Sequence, residues 1–238
     1  RIGLTVGLAD RLDTLMGLVG AGMQPTGAKD PFALRRTAIG LVQMLMARGI
    51  RFDLRRGLQL AAKELPFKAK EASVEECLGF IVGRLKGLLE ADHRHDAVEA
   101  VLAAQGHDPA GAAQAVPGLE SWMARQDWAP TLQAYARCVR ITRDQDGSLP
   151  LKPKTLIEDA EQALFAALQR AEAAPRAPGS VDDFFKVLQP MIPAISRFFD
   201  DVLVMAEKAD LRSNRLGLLQ RIVALADGVA DLSKVEGF

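Results

Sequence analysis

Three kinds of residue cluster in this chain are chemically suggestive. The run Asp92-His93-Arg94-His95-Asp96 gathers imidazoles and carboxylates, the side chains that ligate divalent metals. His93 and His95 are two residues apart, however, and such side chains point away from each other on a helix, so they share an ion only from a loop. A solvated helix terminus is the expected state. The stretch GAGMQPTGAKDP approaches a phosphate-binding P-loop through Gly22, Gly27 and Lys29. It has Ala28 before the lysine, lacks Ser or Thr after it, and follows a helical pattern where a strand is required, so that reading is rejected.

The third kind is electrostatic. Arg35, Arg36, Arg48, Arg51, Arg55, Arg56, Lys63, Lys68 and Lys70 face only Asp53 and Glu64 in the same segment, a surplus of seven positive charges. In a neutral chain this is a local patch, and phosphate backbones are its natural ligand. Arg137, Arg140 and Arg143 recur every three residues further on, and Lys152 and Lys154 follow in a loop. Tyr135 stands beside them. Unpaired bases are bound by stacking and by hydrogen bonds to their edges, which calls for aromatic and basic groups together.

These residues sit in a chain of 238 residues, 49% hydrophobic and 25% charged, with 30 Lys plus Arg against 30 Asp plus Glu. Overall neutrality gives no general case for a polyanion, so any such case rests on the local sets above. Aromatic residues are only 5%, and Ala and Leu dominate, which favours helices over strands. Cys77 and Cys138 have no partner at metal-ligand spacing and suit a reducing cytoplasm. No apolar run approaches the roughly 20 residues needed to span a bilayer, and no signal peptide is expected. The start, RIGLTVGLADRL, lacks Met and enters a helical pattern directly, as expected of a fragment of a longer protein.

The elements that must position the clusters read as helices throughout, giving an all-α fold. Leu8, Leu12, Leu15, Met16 and Val19 make the first amphipathic helix. Asp30-Pro31 predicts an N-cap followed by proline at the first helical position of a second helix, which ends near Gly49. Helices are expected over 52–65 and 73–90, the latter opened by a Ser73–Glu76 capping box, and again near 97–104. The run QGHDPAGAAQAVPG reads as a linker by its Gly, Pro and Ala content. It divides a first domain, 1–104, from a second, 119–238, with 105–118 between them. Helices over 119–128, 130–143, 156–174 and 181–188 follow. Ile195, Phe198, Phe199, Val202, Leu203 and Ala206 predict one apolar helical face. A second helix is capped by Asp210, with Leu211, Leu218, Leu219 and Ile222 on its face. Asn214 and Arg215 occupy apolar slots there and need partners; Asp200 and Asp201, one helix back, are the expected ones.

Two resemblances bear on function. LADRLDTL resembles the last helix of HD-type phosphohydrolases, with Asp10 in the place of a metal ligand. The His and His-Asp set that should precede it is absent, and His95-Asp96 comes in the wrong order. Asp10 is therefore expected to cap or to pair with Arg11 or Arg36, and a metal-dependent nucleotide phosphohydrolase is the rival reading. PTGAKDPFALRR, LADRLDTLMG and FIVGRLKGLLEADHRHDAVEAVLAA resemble the bacterial glycyl-tRNA synthetase beta subunit, which commonly has Ser where Ala28 stands. FFDDVLVMAEKADLRSNRLGLLQRI resembles its C-terminal anticodon-binding helices. The ADLRSNRLGLL part also resembles the related DALR module that ends arginyl-tRNA synthetases, and YARCVRIT resembles an anticodon-domain helix.

The resemblance implies an HD-like helical domain followed by an anticodon-binding helical bundle, the C-terminal part of such a beta subunit. It implies tRNA-Gly as partner and a separate alpha subunit, in a hetero-oligomer, that activates glycine with ATP and Mg. This part is then expected to hold tRNA in the cytoplasm with no catalytic residue, metal or cofactor of its own, and with neither membrane nor DNA as a partner. Arg35, Arg36, Arg51, Arg55 and Arg56 are expected on tRNA backbone, and Tyr135, Arg137, Arg140, Arg143, Lys152 and Lys154 near the anticodon.

Overall fold

A computed structural model of the chain describes residues 2–25, 29–70, 72–145 and 147–238. Gly27 and Ala28 of the glycine-rich stretch lie outside the described residues. The chain divides into two compact units, Arg1–Pro117 and Gly118–Phe238. Among the described residues every regular element is helical.

The first unit holds α1 (Ile2–Gly20), α2 (Leu34–Arg48), α3 (Leu54–Glu64), α4 (Ala72–Leu89) and α5 (His95–Gln105). Helix α1 buries Leu12, Leu15, Met16 and Val19, the stripe its periodicity predicts. It packs on α4, which buries Cys77, Leu78, Ile81, Leu85 and Leu89. Helices α2 and α3 each pack on both α1 and α4 and share no extended contact with each other. Asp30 caps α2 as its type predicts, accepting from the amides of Leu34 and Arg35 at 2.8 and 3.0 Å. The helix itself begins three residues later than Pro31, after Ala33 turns through φ 53°. Gly49 ends it in the left-handed region, φ 59°. Ser73 is buried inside the first turn of α4, so the expected capping box is not how that helix opens.

The expected linker is helix. Residues 109–123 form α6 (Pro109–Met123), within which the division between the units falls. Alanine is the best helix former, and proline costs nothing at a helix start, where its missing N–H would have had no partner. Asp108 precedes Pro109 and accepts from the amide of Gly111 at 3.1 Å, repeating the Asp-Pro opening of α2. Ala110, Ala112, Ala115 and Val116 are buried. Gly111 leaves room for Asp108 and Arg51: a Cβ there would lie 2.7 Å from the Asp108 carboxylate and 2.9 Å from the Arg51 guanidinium, so the two side chains would have to shift. Of the helix expected over 119–128, residues 119–123 are the end of α6 and 124–127 are a turn before α7 (Trp128–Thr142).

The second unit continues with α7 (Trp128–Thr142), α8 (Asp159–Ala173), α9 (Val181–Leu188), α10 (Ile192–Asp201) and α11 (Ala209–Val223). A short 3-10 turn at Pro153–Thr155 precedes α8, which starts later than its apolar pattern suggests. Helices α10 and α11 each pack on α7 and α8 and share no extended contact. Phe184, Phe185 and Tyr135 are buried in the core of this unit, and the half-buried rings of Trp122 and Trp128 pack on Phe185. The single helix expected over 195–206 stops at Asp201, and the chain then runs in non-helical backbone to Lys208. Burial there alternates, with Val202, Val204 and Ala206 inside and Leu203 and Met205 exposed, the period of extended chain. The cap of α11 is Lys208, and Asp210 lies within its first turn.

Both cysteines are buried, and burial pushes each thiol up to about 12. Only the thiolate attacks a disulfide reagent. The folded chain at pH 8 is therefore expected to resist an aromatic disulfide reagent, with both thiols titrating on denaturation. Rapid stoichiometric labelling of the native chain would contradict this packing.

Candidate nucleic-acid interface

The charged sets sort by what holds them. On α3, Arg55 grips Glu75 of α4 with two hydrogen bonds of 2.7 and 3.2 Å. This bond pulls the Glu75 carboxyl below its usual range and raises the arginine. Arg51 is closely paired with Asp108. Arg35 is half-buried, and its amide donates to Asp30 at 3.0 Å. Arg36 and Arg56 are exposed. The basic residues of the segment are divided between α2 and α3, which each pack on α1 and α4 and share no extended contact. Arg36 and Arg48 belong to α2; Arg56 and Lys63 belong to α3, with Lys68 and Lys70 in the loop after it.

Tyr135 is not available to a base. Its ring stands edge-on to Phe184 at 6.0 Å and is 4% exposed, and its hydroxyl donates to the Val223 carbonyl at 3.0 Å. Burial raises its pKa. Position 135 falls on the core side of α7, two residues from Arg137, so the helix turns the phenol inward and the arginine outward. Arg137 stacks on Phe199 at 4.3 Å and approaches Asp200 at 3.8 Å. Arg140 lies over the Phe238 ring at 5.5 Å. Arg143, at the end of α7, and Lys152 and Lys154, in the following loop, are exposed.

That loop is held by one face of α11. Asn214 accepts from the Lys152 amide at 2.6 Å and donates to the Lys152 carbonyl at 3.2 Å and the Thr155 hydroxyl at 2.9 Å. Gln220 accepts from the Leu149 amide at 2.8 Å and donates to the Gly147 carbonyl at 3.0 Å. Between them Gly217 lets the loop backbone touch the helix, since a Cβ would sit 2.9 Å from the Leu149 carbonyl and 3.1 Å from that of Pro150. Residues 214, 217 and 220 share a face by helical spacing. Sequence reasoning singled out Asn214 and passed over Gly217 and Gln220. Their signal is a glycine and an amide at successive threes inside a helix.

Arg215 has different partners from those expected. Its guanidinium donates to Glu161 at 2.6 Å, to the Leu203 carbonyl at 2.8 Å and closely to Glu158. Arg215 and Glu161 are buried. The second oxygen of Glu161 accepts from the amides of Ile157 and Glu158 at 2.8 and 3.0 Å, closing a capping box on α8. Asp200 and Asp201 are elsewhere because α10 and α11 do not pack face to face; Asp201 pairs with Arg197 at 3.1 Å.

Asp10 is exposed on α1. Among the described residues the side chains able to converge on a cation are Glu90, His95 and Glu99. Lys86 pairs with both of those carboxylates and His95 with Glu90 at 2.6 Å. The lysine supplies the positive charge there, so the set does not suit Mg, and Asp10 is no part of it.

Residues 1–103 match the family model of the glycyl-tRNA synthetase beta subunit, and residues 131–230 match the DALR anticodon binding domain. The glycine–tRNA ligase beta subunit of Myxococcus xanthus is 38% identical over 98% of this chain and 35% of its own length. That of Moorella thermoacetica is 37% identical over 98% of this chain and 35% of its own. The chloroplastic/mitochondrial glycine–tRNA ligase 2 of Arabidopsis thaliana is 33% identical over 99% of this chain and 22% of its own. The chain thus spans about a third of the length of the beta subunits it matches.

Removing Arg215 strands the buried Glu161 charge. Arg215→Ala is expected to cost about 3–5 kcal/mol and to lower the melting temperature by on the order of 10 °C or more; an unchanged calorimetric Tm would refute the buried network. Asn214→Ala spares that network. It is expected to open residues 147–155 to limited proteolysis, and an unaltered cleavage pattern would mean the amide does not hold the loop. From both family-model matches and these whole-chain similarities, the chain belongs to the glycyl-tRNA synthetase beta-subunit family.

Proposed function

We propose that this chain is a tRNA-holding part of a glycine–tRNA ligase beta subunit, acting in the cytoplasm without bond chemistry of its own. The observation that carries the reading is the exposed basic run at the end of α7 and in the following loop: Arg140, Arg143, Lys152 and Lys154. The loop part of this run is pinned by Asn214 and Gln220, inside the stretch that matches an anticodon binding domain. Positive groups on a fixed backbone bind the phosphates of a nucleic-acid loop with little ordering cost. The anticodon loop of tRNA-Gly is the proposed ligand of this surface. Tyr135 has no part in it, and Arg137 is a supporting residue through Phe199 and Asp200.

In this reading glycine activation with ATP and Mg belongs to a separate alpha subunit, assembled with the beta subunit into one ligase. The rival, a metal-dependent phosphohydrolase, has little support. Asp10 is exposed on α1 and is not gathered with the Glu90–His95–Glu99 set.

Replacing Arg140, Arg143, Lys152 and Lys154 together by Ala is expected to weaken binding of tRNA-Gly. It should also flatten the salt dependence by about 0.7–0.9 log units per lost phosphate contact. Binding of a minihelix lacking the anticodon arm should be unchanged. Equal loss on both RNAs would place the anticodon site elsewhere.

A further inference from the structure

The first unit carries a groove that the anticodon reading does not use. It has a volume of about 870 Å3 and lies between the last turns of α3, the loop of residues 65–70 and the first turn of α4. Lys63, Lys68 and Lys70 line it, all exposed and without a recorded ion pair among the described residues. The acidic side chain on its described wall is Glu75, already held by Arg55. Phe67 lies on the same wall and is 40% exposed, which leaves part of its ring open to a ligand.

The loop that presents these groups is seated on α1. A Cβ at Gly20 would lie 3.2 Å from Ala69 and 3.5 Å from the Phe67 ring, and one at Gly17 would lie 3.5 Å from Leu65. Two glycines one turn apart thus let the loop lie close on the helix, and Phe67 is turned partly to solvent from a supported backbone.

We propose that this groove binds an unpaired stretch of RNA, with phosphates on Lys63, Lys68 and Lys70 and a base against Phe67. Three ammonium groups around one concavity fit a polyanion, and an exposed aromatic among them fits the face of a base. Clefts of about 300–1,000 Å3 enclose small ligands, so the groove admits a nucleotide or two. A duplex presents its bases edge-on within a wide cylinder and cannot place one flat on Phe67. The assignment rests on the tRNA reading above and adds to it a second contact, made by the other unit with an unpaired segment.

The test uses the whole chain with tRNA-Gly, an unpaired oligouridylate and an RNA duplex of equal charge. Lys63, Lys68 and Lys70 replaced together by Ala should lower the salt slope for tRNA by about two log units, at roughly 0.7 per single-strand contact. Phe67→Ala should leave the slope unchanged and weaken oligouridylate binding about fivefold or more. The oligouridylate should compete with tRNA at the groove better than the duplex does. An unchanged slope in the triple variant, an unchanged affinity in Phe67→Ala, or equal competition by the duplex would each overturn the assignment while tRNA binding by the unaltered chain stands. If the unaltered chain binds no tRNA, the tRNA reading falls and this assignment falls with it.

Discussion

The second unit depends on a guanidinium placed where an apolar side chain was due. Arg215, 4% exposed, is shared among Glu161, Glu158 and the Leu203 carbonyl. A charge taken from water is tolerated only when its partners are close and its hydrogen bonds complete. Here they come from two separate places, the capping box of α8 and the non-helical segment after α10. Helices α10 and α11 are not packed on each other, so this one side chain ties the α10–α11 connection to the start of α8. One residue before it, Asn214 ties the same helix to the loop ahead of α8. The adjacent residues of α11 thus fix both flanking segments, and the basic loop inherits its position from them.

The first unit solves a different problem. Its α1–α4 pair is apolar and continuous, and α2 and α3 divide charges that are contiguous in sequence. Arg51 and Arg55 are paired with Asp108 and Glu75, so their part of the surplus is offset locally. What remains open on the α3 side is Arg56, together with the lysines around Phe67. Two pairs of exposed lysines stand on loops that follow a helix, Lys68 and Lys70 after α3 and Lys152 and Lys154 after α7.

Much of the fold was legible because it follows from the period of the apolar residues. The stripe Leu12, Leu15, Met16 and Val19 is buried as spaced, and Gly49 ends its helix for the reason glycine usually does. Errors arose where one composition serves two states. Pro, Gly and Ala suggested a linker at 105–118, yet Pro109 begins a helix and the alanines are its buried face. Val202 and Ala206 fit both a helical and an alternating pattern, and packing decides by burying Val204 and exposing Leu203. Partner choice was the least legible feature. Nothing in the order of residues says that Arg215 reaches Glu158 and Glu161, more than fifty positions back, when Asp200 and Asp201 are nearer. Nor does it say that Tyr135 turns inward while Arg137 turns out. The family, by contrast, was legible in the motifs themselves.

The most direct test of the central claim is photo-crosslinking from reactive bases placed in the anticodon of tRNA-Gly, with crosslinked peptides mapped on the whole chain. The account predicts that the crosslinks fall between Arg140 and Thr155, on the end of α7 and the loop held by Asn214 and Gln220. Crosslinks confined to the first unit, or to α8 and α9 of the second, would contradict it.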